Sequence, residues 1–237
     1  MKLFRKARFF WVYPLVIVLF ATASTSERSL RLGIVLIFLG EALRLLANGY
    51  VGHVKVNVTQ QARHDPKIGR LITGGPYAYV RHPLYVGTFL IGAGLCVAVR
   101  SVPLALAALA FFLLVYQDKA RREEQLIAGE WGSDYVAYQQ AVPRWLPSLR
   151  RYTSRHGRWS WQGVWASKEW KKLIWVIVVL LGIYFWEEGV RERELFVGHK
   201  QVKHGLLVAL CILLIASDGV IELASRWRVA QARKGSA

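Results

Sequence analysis

Apolar residues run along this chain in six blocks, at positions 9–23, 30–51, 84–99, 102–116, 173–186 and 205–223, and the charged residues gather between them. A membrane-spanning helix needs about 20 mostly apolar residues. The first, fourth and fifth blocks fall short of that length. Trp and Tyr at or near their edges (Trp11, Tyr13, Tyr116, Trp170, Trp175, Trp186) extend them to headgroup level, where amphipathic rings settle. The blocks predict an all-α, multi-pass transmembrane helical bundle of about six spans. Between the third and fourth blocks stands only Arg100-Ser101-Val102-Pro103, so short a link that the two helices must form an antiparallel hairpin. Pro103 suits the first turn of the returning helix, where its missing N–H costs nothing. Residues 150–172, rich in Arg, Lys and Trp (Trp159, Trp161, Trp165, Trp170), read as an interfacial segment.

Composition sharpens this picture. The chain is 54% hydrophobic, yet carries 32 Lys and Arg against 15 Asp and Glu. A net charge of +17 also suits a nucleic-acid binder. The basic residues flank apolar runs, however, and no zinc-finger, RNP or helix-turn-helix pattern occurs. Attraction to an anionic membrane surface is the simpler account, and no nucleic-acid partner is expected. With the N-terminus placed in the cytoplasm, 24 of the 32 basic residues fall in inside segments and 7 in outside segments, while Arg44 lies within the second block. Positive charge stays on the cytoplasmic side, so both termini are expected there, in a plasma, inner or endoplasmic reticulum membrane. The start of the chain has a rival reading. Lys2, Arg5, Lys6 and Arg8 before a short apolar run that ends in Ala21-Thr22-Ala23 resemble a signal peptide with its cleavage site; the run is taken as a retained span. Cys96 and Cys211 lie inside apolar blocks and read as packing residues.

The chemistry concentrates where the loop after the second block enters the third, in Gly74-Gly75-Pro76-Tyr77-Ala78-Tyr79-Val80-Arg81-His82-Pro83-Leu84-Tyr85-Val86-Gly87. Gly-Gly-Pro makes a turn, and Pro83 can open a helix whose free N–H groups favour a carboxylate-bearing ligand. Arg81 and His82 stand at that helix start. Asp118-Lys119-Ala120-Arg121-Arg122-Glu123-Glu124 follows the hairpin on the same membrane face, which returns the acidic pair towards Arg81 and His82. Gly132, Tyr135, Tyr138 and Val142-Pro143-Arg144-Trp145-Leu146-Pro147 come next. Glu41 and Arg44, three apart, share a face of the second block, either as an internal ion pair that lets the helix insert or as functional charges. Asp218, Glu222 and Arg226 read as structural. His53, His64 and Asp65 lack metal-ligand spacing, and no metal site is expected.

The ordered set Gly-x-Tyr-x-x-x-Arg-His-Pro-x-Tyr-x-Gly, an apolar hairpin, Glu-Glu, Gly-x-x-Tyr and Val-Pro-Arg-x-x-Pro resembles the isoprenylcysteine carboxyl methyltransferase and phospholipid methyltransferase superfamily over roughly residues 60–147. The resemblance implies a helical membrane enzyme that binds S-adenosylmethionine at a cytoplasm-facing site and methylates a lipid-like or prenylated acceptor. It divides the chain into N-terminal helices (1–59), a catalytic core (60–149), an interfacial basic segment (150–172) and a C-terminal hairpin (173–237). Carried over by position, it implies cofactor contacts at Gly69, Arg70, Leu71, Ile72, Tyr77, His82, Pro83, Leu84, Tyr85 and Glu123, with Arg81, His82 and Glu123 as catalytic residues. The family's substrate-contacting Arg falls on Lys119, which keeps the charge and loses the fork. Arg121 or Arg122 would serve in its place, and a family Gln aligns nearest Gln61. The implied reaction is O-methylation of an isoprenylcysteine-type carboxylate. N-methylation of a phospholipid amine, an NADPH-dependent membrane reductase of the sterol type and a non-enzymatic lipid-binding protein are the alternatives.

Overall fold

The structure is a computed structural model that describes residues 24–51, 71–154, 157–167 and 169–186, with helical stretches within 205–220. The expected first block, Gln61, Gly69, Arg70, His53, His64, Asp65, Cys211, Asp218, Glu222 and Arg226 lie outside the described residues, as does the loop 187–204. Among the described residues every regular element is helical: α1 (Glu27–Val51), a 3₁₀ turn (Gly75–Ala78), α2 (Pro83–Ala98), α3 (Val102–Ala141), α4 (Trp161–Ser167) and α5 (Glu169–Trp186). The chain divides into two units, Met1–Glu169 and Trp170–Ala237.

Helix α1 starts where Ser26 and Ser29 cap each other. Ser26 N–H donates to Ser29 Oγ at 3.0 Å and Ser29 N–H to Ser26 Oγ at 3.2 Å, which satisfies two of the orphan donors of the first turn. The serine pair also fixes a partner, because Ser29 Oγ donates to the Ala98 carbonyl at the far end of α2 at 3.1 Å. The two helices therefore run antiparallel, and glycines set their spacing. A Cβ on Gly33 would stand 2.5 Å from the Gly94 carbonyl oxygen, and one on Gly40 would stand 2.7 Å from that of Gly87. No side chain fits between backbones that close.

What α1 buries is polar as well as small. Glu41, Arg44 and Asn48 are buried, while Leu32, Val35, Phe38 and Leu39 are exposed. An exterior of large apolar residues over an interior of charged ones suits a helix surrounded by lipid. The block at 84–99 forms α2, a shorter apolar helix. Arg100, at φ 53, turns the chain, and Ser101 Oγ accepts from Leu104 N–H to open α3. The expected hairpin is thus formed. Among the described residues, α3 is the one helix long and apolar enough to cross a membrane. It continues well past the apolar block, because Ala120, Arg121, Arg122, Glu123, Glu124, Gln125 and Leu126 are all good helix formers. Gly132, at φ 48 and ψ −120, breaks it before its last turns.

After α3 an irregular strap returns over the 3₁₀ turn. Arg81 N–H donates to the Pro143 carbonyl at 2.9 Å, Ser148 N–H to Tyr79 at 2.8 Å and Tyr152 N–H to Ala78 at 3.0 Å. Further on, Thr73 Oγ1 donates to the Ser154 carbonyl at 2.7 Å, and Ser160 N–H donates to that of Gly49 on α1 at 2.9 Å. Tyr135, Tyr138 and Val142 form a small core beneath this strap with Leu71 and Tyr152.

Candidate active site

Three pieces of chain converge at the start of α2. The first is the 3₁₀ turn, which Gly75 enters at φ 57; a Cβ there would strike the Tyr50 ring. The turn delivers Arg81 and His82 to the position just before Pro83. His82 is the N-cap of α2, but its side chain makes no cap hydrogen bond. Its imidazole instead reaches α3, the second piece, with Nε2 3.1 Å from Glu124 Oε1 and Nδ1 3.9 Å from Glu123 Oε2. The strap supplies the third. Arg144 Nε and Nη2 donate to the two oxygens of Glu124 at 3.0 and 2.6 Å. Arg81 Nη1 stands 3.4 Å from the same carboxylate.

The two adjacent glutamates therefore have different environments. Glu124, with 5% of its side chain exposed, is a buried hub between Arg81, His82 and Arg144. Burial pushes its carboxyl up, but hydrogen bonds from His82 and Arg144 and the charge of Arg81 outweigh burial and hold it down at about 2. Glu123 faces the other way. Its Oε1 accepts from the Tyr85 hydroxyl at 2.5 Å and lies 4.0 Å from Lys119 Nζ. Among the described residues no arginine engages it, so lone pairs remain to accept from a ligand.

An aromatic wall backs Glu123. The Tyr85 ring stacks on His82 at 5.2 Å and meets Tyr116 edge-on at 4.9 Å. Trp145 leans on His82 and on Phe112, both at 5.8 Å, and its indole N–H donates to Gln117 Oε1 at 3.0 Å. Lys119 Nζ lies 4.8 Å from the Tyr85 ring centroid, a cation–π contact that holds the ammonium at the edge of the site.

The structure thus brings together Arg81, His82, Pro83, Leu84, Tyr85, Lys119 and Glu123 of the expected residues. Tyr77 joins them through its carbonyl, which accepts from the Tyr138 hydroxyl at 2.7 Å. Leu71 and Ile72 lead into the turn, Leu71 against the tyrosine core. Arg121 and Arg122 do not join: both are exposed, and Arg122 pairs with Asp118 along the helix. At 100° per residue, Arg121 lies about opposite the face that Lys119 and Glu123 share, whereas Arg122 lies at its edge and is drawn to Asp118. Helical spacing therefore sets Arg121 apart, and the ion pair with Asp118 sets Arg122 apart. Arg44 does not pair with Glu41; its carboxylate partner is Glu169. Sequence reasoning assigned no role to Arg144 or Trp145, although both stand in the recognised Val-Pro-Arg run.

The residues present fit a methyl donor with a carboxylate and hydroxyls. Arg81 Nε and Nη1 are buried with no hydrogen-bond partner among the described residues. Such donors suit a ligand carboxylate, and Glu123 has the acceptor capacity for an amine or a hydroxyl. Among the described residues no three His, Cys, Asp or Glu side chains converge as metal ligands.

The chain is similar in sequence to known proteins. Residues 29–134 match the phospholipid methyltransferase family. The chain is 33% identical over 122 residues to the protein-S-isoprenylcysteine O-methyltransferases of Rattus norvegicus and of Homo sapiens, which is 50% of this chain and 41% of each relative. It is also 33% identical over 88 residues to a nickel-cobalt-cadmium resistance protein, NccN, of Alcaligenes xylosoxydans xylosoxydans, covering 37% of this chain and 41% of that one. The chain thus spans less than half the length of these curated relatives. No solved structure matches it. The superfamily resemblance carried by the Arg-His-Pro motif holds.

Proposed function

We propose that this chain, whose residues 29–134 carry the phospholipid methyltransferase segment, is an integral membrane S-adenosylmethionine-dependent methyltransferase. Its acceptor is a lipid-like carboxylate of the isoprenylcysteine type. The observation that carries this reading is Glu123, held at 2.5 Å by Tyr85 and flanked by Lys119, beside an arginine that is ion-paired with Glu124 and keeps buried N–H groups without a hydrogen-bond partner among the described residues. The bound donor supplies a methyl group already activated on a sulfonium, so the protein's task is placement. Tyr85 orients Glu123, which accepts from the donor's hydroxyl or amine. Arg81, beside the positive N-terminal end of α2, receives its carboxylate. Lys119 draws an anionic acceptor to the aromatic wall, and a carboxylate nucleophile needs no base to remove a proton.

A phospholipid amine is the second reading. The family match and the arginine-free carboxylate of Glu123 favour it, since an attacking amine must first lose a proton. Both readings place the site on the cytoplasmic side with both termini inside, as the 24-to-7 division of basic residues supports. The test uses purified protein in nanodiscs with labelled S-adenosylmethionine. It is offered a farnesylcysteine analogue in one arm and phosphatidylethanolamine in another. Label in a base-labile ester supports the carboxylate reading, and label in the lipid headgroup supports the amine. Saturable binding of NADPH in place of S-adenosylhomocysteine would refute both.

A further inference from the structure

Arg44 holds a position that its own helix does not explain. Its Nε and Nη2 grip Glu169 at 3.1, 2.8 and 3.0 Å, with only 8% of the arginine side chain and 3% of the glutamate side chain exposed. The remaining arm, Nη1, donates to the Leu84 carbonyl at 2.8 Å and to Thr88 Oγ1. Thr88 Oγ1 in turn donates to the same Leu84 carbonyl at 2.9 Å. The arginine's stem lies over Gly87, where a Cβ would stand 2.5 Å from Arg44 Cγ. One guanidinium therefore joins α1, the first turn of α2 and Glu169. A buried ion pair adds little stability that two apolar residues would not supply, and the Leu84 carbonyl already has Thr88 as a donor. What the arrangement supplies is a fixed location for the turn that carries His82, Pro83 and Tyr85.

Glu169 lies 35 residues past position 134, where the family match ends. It follows the strap, whose hydrogen bonds to Arg81, Tyr79, Ala78, Thr73 and Gly49 end at Ser160, nine residues before it. We propose that Glu169 is a positioning residue for the methyl donor, acting through Arg44 on the first turn of α2. The chain beyond the family segment thereby completes the site. This deepens the methyltransferase reading and rests on it.

The test separates positioning from stability. Glu169→Gln leaves a buried guanidinium without its counter-charge and should lower the melting temperature. The double variant Arg44→Met with Glu169→Met removes both charges, so its melting temperature should return to within a few degrees of wild type. Its affinity for S-adenosylhomocysteine should still be about tenfold weaker, because the donor to Leu84 and Thr88 is gone, while KM for the acceptor is unchanged. Arg44→Lys provides a second route: it keeps the buried charge, but a single ammonium cannot hold Glu169 and Leu84 together, and the same loss of cofactor affinity is expected. A folded double variant or Arg44→Lys that binds S-adenosylhomocysteine as wild type does would overturn the positioning role. Wild type that binds none overturns the methyltransferase reading along with it, so the two failures are distinct.

Discussion

Glu124→Gln isolates the hub of the site from its ligand-facing neighbour. Gln keeps the shape of the side chain and removes its charge, leaving Arg81, Arg144 and His82 around a neutral amide. Breaking a buried ion pair from one side costs about 3–5 kcal/mol. Arg144 keeps 23% of its side chain exposed and can rehydrate, which points to the lower end. The carboxyl is held down from 4.5 to about 2, which agrees in direction with a loss of about 3 kcal/mol. For a chain of 237 residues, that lowers the melting temperature by roughly 6–12 °C. Cys96 is buried and free, so a thiol-reactive dye reports the transition in detergent. Because the folded state depresses this carboxyl, its contribution is complete above pH 4.5. It is lost as pH falls towards about 2, and the difference between wild type and Glu124→Gln should shrink over that window. A variant that melts within 2 °C of wild type near neutral pH would show that Glu124 does not hold the three elements together.

The neighbouring positions should respond differently. Glu123→Gln should barely move the melting temperature and should weaken S-adenosylhomocysteine binding by roughly one to two decades, from lost charge-assisted hydrogen bonds of about 1.5–3 kcal/mol; calorimetric titration measures it, and equal affinity would remove Glu123 from the donor side. Lys119→Ala should spare donor affinity and reduce turnover of an anionic acceptor about tenfold, as steady-state kinetics would show. Gly87→Leu puts a branched side chain where the Gly40 carbonyl stands 2.7 Å from a bare Cβ, and it should abolish the monodisperse peak in size-exclusion chromatography. A reporter fused to the C-terminus should read as cytoplasmic, and an external signal would refute the orientation.

Much of the helical plan was legible because apolar blocks and their breakers are local signals. Pro83 after His82 and Pro103 after Ser101 mark two helix starts, and both helices begin there. The extent of α3 was not legible from hydropathy. The apolar block stops at Tyr116, but a helix stops only where its backbone does, and helix-forming charged residues carry it to Gly132. The meeting of Arg81, His82 and the acidic pair followed from the hairpin. The difference between Glu123 and Glu124 did not, because it depends on Arg144, twenty positions along, arriving on one carboxylate and not the other. The Arg44–Glu169 pair spans 125 positions, and no local pattern announces a contact at that range. Glu41 was the nearer acid along the helix, and the fold chose another.

The continuity of α3 through the Tyr116–Glu123 stretch makes the helix a depth gauge. Seven residues at 1.5 Å each set the Glu123 backbone about 10 Å along the axis from the last apolar residue. The headgroup layer on one side of a bilayer is about 5–7 Å deep, so this offset sets Glu123 just beyond its outer edge. On the proposed reading, an acceptor anchored by its hydrocarbon, with its reactive end a few bonds beyond, is presented near the level of Glu123 by its own anchoring. A freely diffusing mimic that lacks the tail has to find that level by chance. The gauge is also quantised. Four residues inserted after Tyr116 would return the same face to the site but lift the carboxylate by about 6 Å, so that chemistry and depth would no longer coincide.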